Sequence, residues 1–302
     1  MAVKESNLYV PPTQAAQIKK SAFWKSVRQF PMIYVGGLII ALLILVAVFA
    51  PVIATHNPIH QFSNGLNPDG TPVAPSRKFI FGTDGLGRDV FSRVVYGARV
   101  SLIVGVVATA VSLLIGTVVG LVSGFVGGWI DYVLQRLTDV ILAFPFLLFT
   151  MALVAILKPD LQNVIIAIAV TGWGGMARIV RGSVLSAREF EYVQAERAIG
   201  ASIWRIMFRV ILPNIFGPVL VLATLNVGFA MLTEAGLSYL GIGVQPPTPS
   251  WGNMIQDGMQ TYQYAPWTLY APGIALVLAV LGFNLLGDGL RDLLDPHNVT
   301  HG

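Results

Sequence analysis

The chain contains no cysteine. That excludes disulfides, thiolate zinc sites, iron–sulfur clusters and a cysteine nucleophile. Charge is scarce too: 11% of the 302 residues are Asp, Glu, Lys or Arg, against roughly 25% in soluble domains. A net charge of +4 is too small to read as a nucleic-acid footprint. The sequence has no His-Glu-x-x-His and no Gly-x-x-x-x-Gly-Lys-Ser/Thr, so a zinc-protease helix and a phosphate-cradling P-loop are both excluded. The cluster Gly82, Gly85 and Gly87 is therefore not a phosphate loop. The four histidines, His56, His60, His297 and His301, all lie outside the long apolar runs. His297 and His301 follow Pro296 and read as a terminal tail, not a metal site.

What the chain does have is apolar sequence, 55% of it. A spanning helix needs about 20 mostly apolar residues. Six runs approach or exceed that: 32–54, 100–126, 140–157, 161–177, 215–240 and 267–286. The fourth is the shortest and is expected to continue past Arg178 to Val180, with the arginine snorkelling to the interface. The expected fold is an all-α polytopic membrane bundle of six transmembrane helices. Residues 1–31 carry lysines without an apolar core, so the first run reads as a retained helix and not a cleaved signal.

Orientation follows from the basic residues. With the N-terminus inside, thirteen Lys and Arg lie on cytoplasmic segments and six on outer ones. The expected topology is N-in, C-in. Residues 1–31 and 288–302 are then cytoplasmic tails, 55–99 and 241–266 are outer loops, and 183–213 is a cytoplasmic loop within a five-helix core, 100–287.

The cytoplasmic loop is the most informative stretch. Gly200 can take the left-handed conformation that ends a helix, and Ser202 can cap the next one. Ile203, Ile206, Met207, Val210 and Ile211 then form one apolar face, and Pro213 suits the first turn of the fifth span. Pattern alone leaves two readings open: an amphipathic connector on the membrane surface, or a knob that plugs into a soluble partner.

Gln194-Ala195-Glu196, three residues, Gly200, nine residues, then Val210-Ile211-Leu212-Pro213 resembles the EAA loop of permeases in binding-protein-dependent ABC importers. That pattern is Glu-Ala-Ala, three residues, Gly, nine residues, Ile, one residue, Leu-Pro. This chain departs from it at Gln194, Glu196 and Val210. Three more segments are similar to the C-type permeases of the oligopeptide and dipeptide branch: Phe81 to Leu102, Glu234 to Gly252 and Phe283 to Pro296. The resemblance covers nearly the whole chain except 1–30 and 56–78.

The resemblance implies a permease fold with cytoplasmic coupling helices, in the inner membrane of a bacterium. It implies a transport subunit and not an enzyme. Gln194, Ala195, Glu196, Gly200, Ala201, Ser202, Leu212 and Pro213 would form the coupling loop. Partners would be a homologous B-type permease, two cytoplasmic ATPases that use ATP and Mg, an outer peptide-binding protein and membrane lipid. This chain itself would bind no cofactor. The cargo would be dipeptides or oligopeptides, with nickel chelates or glutathione as alternatives in the same branch.

Other residues carry two readings each. Glu234, alone in an uncharged run, either lines the translocation path or makes a structural hydrogen bond. Asn226, two turns earlier on the same face, either joins it or bridges helices. Asp84 and Arg88 either meet the binding protein or sit on a solvated face. Arg136–Asp139 and Asp89–Arg93 have the spacing of local ion pairs. An intramembrane enzyme would need paired carboxylates or a histidine in a span, and neither is present. An ion-coupled carrier is the distant alternative, disfavoured by the scarcity of charge at depth.

Overall fold

The computed structural model describes residues 30–294. The N-terminal tail with Lys4, Lys19, Lys20, Lys25 and Arg28, and the tail with His297 and His301, lie outside the described residues. Within them the chain is helical, with no named strand. The long helices are α1 Pro31–Val48, α2 Val90–Val126, α3 Gly128–Ala143, α4 Phe146–Leu157 and α5 Leu161–Ala187. They continue with α6 Glu191–Ala198, α7 Ile203–Tyr239, α8 Trp251–Thr261 and α9 Trp267–Leu294. Five of these are long and apolar enough to cross a membrane, and α3 with α4 makes a sixth crossing if the pair is one span.

Several expected boundaries move. α2 begins at Val90, not at Val100, because Asp89 caps it: its Oδ2 accepts from the Ser92 amide at 2.9 Å and the Ser92 hydroxyl at 2.5 Å. At 37 residues α2 is about 55 Å long, well beyond the roughly 30 Å of the hydrocarbon core. The third span is not straight. α3 and α4 meet at 87° across Phe144 and Pro145, because proline cannot continue a helix and holds the residue before it extended; Phe144 has φ −87° and ψ 141°. The fourth span runs on to Ala187, and the last to Leu294. The outer segment 241–266 is not all loop, since it holds α8, begun by a Ser250–Asn253 capping box.

Small residues let the helices approach. Gly116, Gly120 and Gly124 recur every fourth residue on α2 and face α5. A Cβ at Gly120 would stand 2.6 Å from the Ala177 carbonyl oxygen and 2.8 Å from Val180 Cβ. In lipid, such close backbone approach is a main source of helix association. α1 docks on α9 the same way: a Cβ at Gly36 would stand 2.5 Å from the Leu286 nitrogen. α7 packs between α2 and α9, with Val227, Met231 and Ala235 in the apolar core they share.

The outer segment before α2 is ordered by its own contacts. Phe62 and Phe79 pack edge to face at 5.5 Å. Trp267 donates its indole N–H to the Thr83 carbonyl at 3.0 Å, and Trp251 donates to the Val94 carbonyl at 3.0 Å. These bonds fasten the outer segment and α2 to α8 and α9.

Candidate functional site

The cytoplasmic helix–turn–helix forms as the residues suggest. α6 ends at a turn in which Gly200 has φ +77°, left-handed backbone that costs an L side chain roughly 1–2 kcal/mol. Its amide donates to the Arg197 carbonyl at 3.0 Å. Ser202 then caps α7, accepting from the Arg205 amide at 3.4 Å. Ile206–Ile211 is wound as a π-helix at the start of α7. Leu212 and Pro213 follow in the α-helical part, with Pro213 in its first turn.

One face of this unit is buried. Val193, Ile206, Met207 and Ile211 pack with Leu121 and Phe125 of α2 and Val180 and Val184 of α5. Ile203, expected on that face, is exposed, as it lies in the first turn before the π-helical stretch reaches the inner ends of α2 and α5. Ile199 is 77% exposed and Trp204 67%. Trp204 stacks on exposed Phe208 with ring centroids 5.6 Å apart. Glu196 and Arg205 face each other across the turn at 3.5 Å, and Gln194 donates to the Glu189 carbonyl at 3.1 Å. Ala195 is exposed and Ala201 half-buried. The knob is thus rooted by one apolar face and presents a second, with a fixed turn between.

Behind it, ion pairs hold α3 to α5. Arg181 grips Asp131 with two hydrogen bonds, 2.7 and 2.6 Å. The Asp131 carboxylate also accepts from the Ser123 hydroxyl of α2. Arg136 and Asp139 do pair, at 3.4 Å, but Asp139 is held more closely by Arg178 at 2.8 Å.

Between α2, α4, α5 and α7 lies a cavity of about 190 Å³. Thr109, Ser112, Thr171 and Asn226 give it polar walls, Phe146 and Phe229 apolar ones. No charged residue lines it. The Thr109 hydroxyl is buried without a hydrogen-bond partner. Asn226 donates to the Leu222 carbonyl of its own helix at 2.8 Å.

Glu234 does not join Asn226 at this cavity. It is 0% exposed, sealed where α7 meets α2 and the start of α8. Its Oε1 accepts from Ser238 at 2.7 Å and its Oε2 lies 3.5 Å from the Ser101 hydroxyl. In this conformation the geometry is that of a structural hydrogen-bond centre. Glu234→Gln, which keeps an acceptor for Ser238, is expected to leave uptake per folded transporter unchanged. Glu234→Ala, which removes the buried acceptor shared by Ser101, Ser238 and Ser250, is expected to lower stability by about 1–3 kcal/mol. Thermal unfolding beside uptake checks both. Lost uptake with unchanged melting in Glu234→Gln would return this carboxylate to the path.

Asp84 and Arg88 are corrected as well. Their side chains are only 8% and 5% exposed, so they are not presented to an outer protein. They pair with each other at 2.7 Å. Arg88 also reaches Asp257 of α8 at 3.2 Å, and Arg93 meets Asp84 at 3.4 Å. The expected Asp89–Arg93 pair is absent, because the Asp89 side chain turns back to cap α2. Asp257, which the sequence did not single out, faces outward beside this cluster. Burial pushes its carboxyl above the usual carboxylate range, opposed by Arg88 and Arg93.

The comparisons with known proteins bear on this arrangement. The family described as binding-protein-dependent transport system inner membrane component matches residues 116–299. The chain belongs to this family. The N-terminal transmembrane domain of oligopeptide transport permease C matches residues 21–68, which include α1 of this permease. The permease is 46% identical to the dipeptide transport system permease protein DppC of Alkalihalophilus pseudofirmus, over 90% of this chain and 88% of the relative. It is 44% identical to the oligopeptide transport system permease protein OppC of Bacillus subtilis, over 92% and 91%. It is also 44% identical to the glutathione transport system permease protein GsiD of Shigella flexneri, over 91% and 89%. Among solved structures, a chain from inward-facing conformations of the MetNI methionine ABC transporter aligns with TM-score 0.55 and 19% identity. That alignment covers 67% of this permease and 97% of the solved chain, and shows a common fold. The permease is thus an inner-membrane transport subunit, and ATP hydrolysis belongs to a separate subunit of such systems.

Proposed function

We propose that this chain is the C-type half of a pore that moves peptides inward by alternating access, driven by ATPases docked at the cytoplasmic knob. The observation that carries the reading is the exposed tip formed by Ile199, Ile203, Trp204 and Phe208, held rigidly by the turn at Gly200. Large apolar groups exposed together on a polar loop mark an interaction surface, and aromatic anchors of this kind dominate interface energies. The tip is continuous with α7, which walls the cavity at Asn226 and Phe229. A push on the knob therefore reaches the path through one helix.

A homologous B-type permease supplies the other half of the pore, and two cytoplasmic ATPases bind the two knobs, using ATP and Mg. An outer binding protein delivers the cargo, and the N- and C-termini face the cytoplasm. The peptide assignment rests on the relatives: the three compared are named for dipeptide, oligopeptide and glutathione transport, and glutathione is itself a small peptide. An uncharged cavity lined by hydroxyls and an amide suits cargo whose common feature is a polyamide backbone. Nickel chelates are the second reading of cargo.

The test is uptake into proteoliposomes that hold the assembled transporter. Labelled dipeptide is expected to accumulate only with ATP on the ATPase side and binding protein on the other, and to be indifferent to proton and sodium ionophores. Uptake without ATP that follows a proton or sodium gradient would make this an ion-coupled carrier. If a nickel chelate accumulates and no peptide does, the second reading of cargo takes its place.

A further inference from the structure

The seam between α1 and α2 holds a groove separate from the cavity between α2, α4, α5 and α7. Its volume is about 490 Å³, and it opens on the side of the bundle between two helices long and apolar enough to cross a membrane. Ile40 and Ile44 of α1 wall it on one side, Leu102, Ile103 and Val106 of α2 on the other. Arg99 is the one charged residue in its lining. Its guanidinium donates Nε to the Ala47 carbonyl at 3.1 Å and Nη2 to the Val48 carbonyl at 3.3 Å. Those carbonyls end α1, and one further apolar helical turn, Ala50–Ile53, follows before the chain turns polar at Thr55, so Arg99 lies near the end of the first span. The other contact of the guanidinium is with the ring of Tyr96, at 5.9 Å. Tyrosine and arginine together are typical of the headgroup level.

One turn outward, at Tyr96, a second groove of about 610 Å³ begins, and it mixes polar with apolar walls where the first is almost wholly apolar. Thr55, His56, Asn57 and Thr248 line it, among prolines. The seam therefore reads, along α2 from Val106 to Tyr96, as an apolar slot, a cation and a bowl with polar groups in its wall. That sequence of surfaces matches one molecule of phospholipid.

We propose that the α1–α2 seam binds an anionic glycerophospholipid of the outer leaflet. The acyl chain lies in the lower groove, the phosphate accepts from Arg99, and the headgroup occupies the bowl. Charge complementarity selects this occupant. A guanidinium with donors to spare near the end of the first span is satisfied by a phosphate. A transmembrane helix packed there would fill the apolar slot and leave the cation without an anion. Placement in the outer leaflet rests on the N-in orientation proposed above; the site itself does not.

The experiment is native mass spectrometry of the assembled transporter after incubation with mixed vesicles of phosphatidylglycerol and phosphatidylcholine in equal amounts. The wild type is expected to retain phosphatidylglycerol in preference to phosphatidylcholine. Arg99→Leu should lower that retention roughly fivefold, the factor for one basic residue near an anionic surface, and Arg99→Lys should keep most of it. Val106→Trp fills the slot without touching the Arg99 bonds to α1, and should remove the lipid while the complex still assembles. Equal retention of both lipids by wild type and Arg99→Leu would mean ordinary annular lipid and would overturn the site. So would a wild type that retains no lipid together with a Val106→Cys variant that cross-links to the second permease.

Discussion

Gly200→Pro is expected to abolish transport while leaving the membrane helices folded. The wild-type residue has φ +77° and donates its amide to the Arg197 carbonyl. Proline is locked near φ −65° and has no amide hydrogen. The turn must therefore open, and Ile199 and Trp204 leave their relative positions. Nothing lies within 4 Å of a Cβ built at Gly200, so the effect is conformational and not a clash. This predicts a graded series. Gly200→Asn is nearly silent, because asparagine tolerates the left-handed region, and Gly200→Ala costs about 1–2 kcal/mol in the loop alone. Gly200→Pro should weaken ATPase co-purification by at least ~30-fold, the loss of one interface hot spot of about 2 kcal/mol. Thermal unfolding of the permease should change little across the series. Co-purification and uptake that survive in Gly200→Pro would detach the knob from coupling.

The second large effect is on stability. Gly120→Leu is expected to prevent stable assembly of the bundle, and Gly120→Ala to cost about 1–3 kcal/mol, the usual range for overpacking. Three atoms of α5 would lie within 3.0 Å of the new Cβ, and two of them are backbone, which cannot rotate away: the Ala177 oxygen at 2.6 Å and the Arg181 nitrogen at 2.9 Å. Gly182→Leu is the control. It lies on α5 itself, with nothing within 4 Å, and should stay within about 0.5 kcal/mol of wild type. Unfolding in detergent, followed by helical circular dichroism, separates the three.

These residues show where the sequence was legible. Apolar length revealed five crossings and the bent α3–α4 pair that can make a sixth, and the spacing of Gly200, Ser202 and Pro213 revealed the helix–turn–helix, because both are local properties of the chain. The bend at Pro145 was hidden because the run 140–157 is apolar on both sides of it. The first turns of α2 were hidden because Arg93 and Arg99 lowered the hydropathy of a stretch that is helical all the same. Charge pairs were misread wherever the partner is far away in sequence. Arg88 meets Asp257 across 169 positions, and Asp89 is occupied as a cap before Arg93 can claim it. Glu234 could be read either as a path group or as a structural hydrogen-bond centre because its serine partner Ser101 lies on another helix, 133 positions earlier.

The central claim is that the tip of the knob is where the energy enters. Because the chain has no cysteine, a single one can be placed without background. Ile199→Cys sits at the tip, and Met259→Cys sits exposed on α8 at the outer side. In the assembled, transporting complex, a short bifunctional cross-linker should join position 199 to an ATPase subunit and leave position 259 unjoined to it. An intact, transporting complex in which position 199 never cross-links to the ATPase would contradict the account.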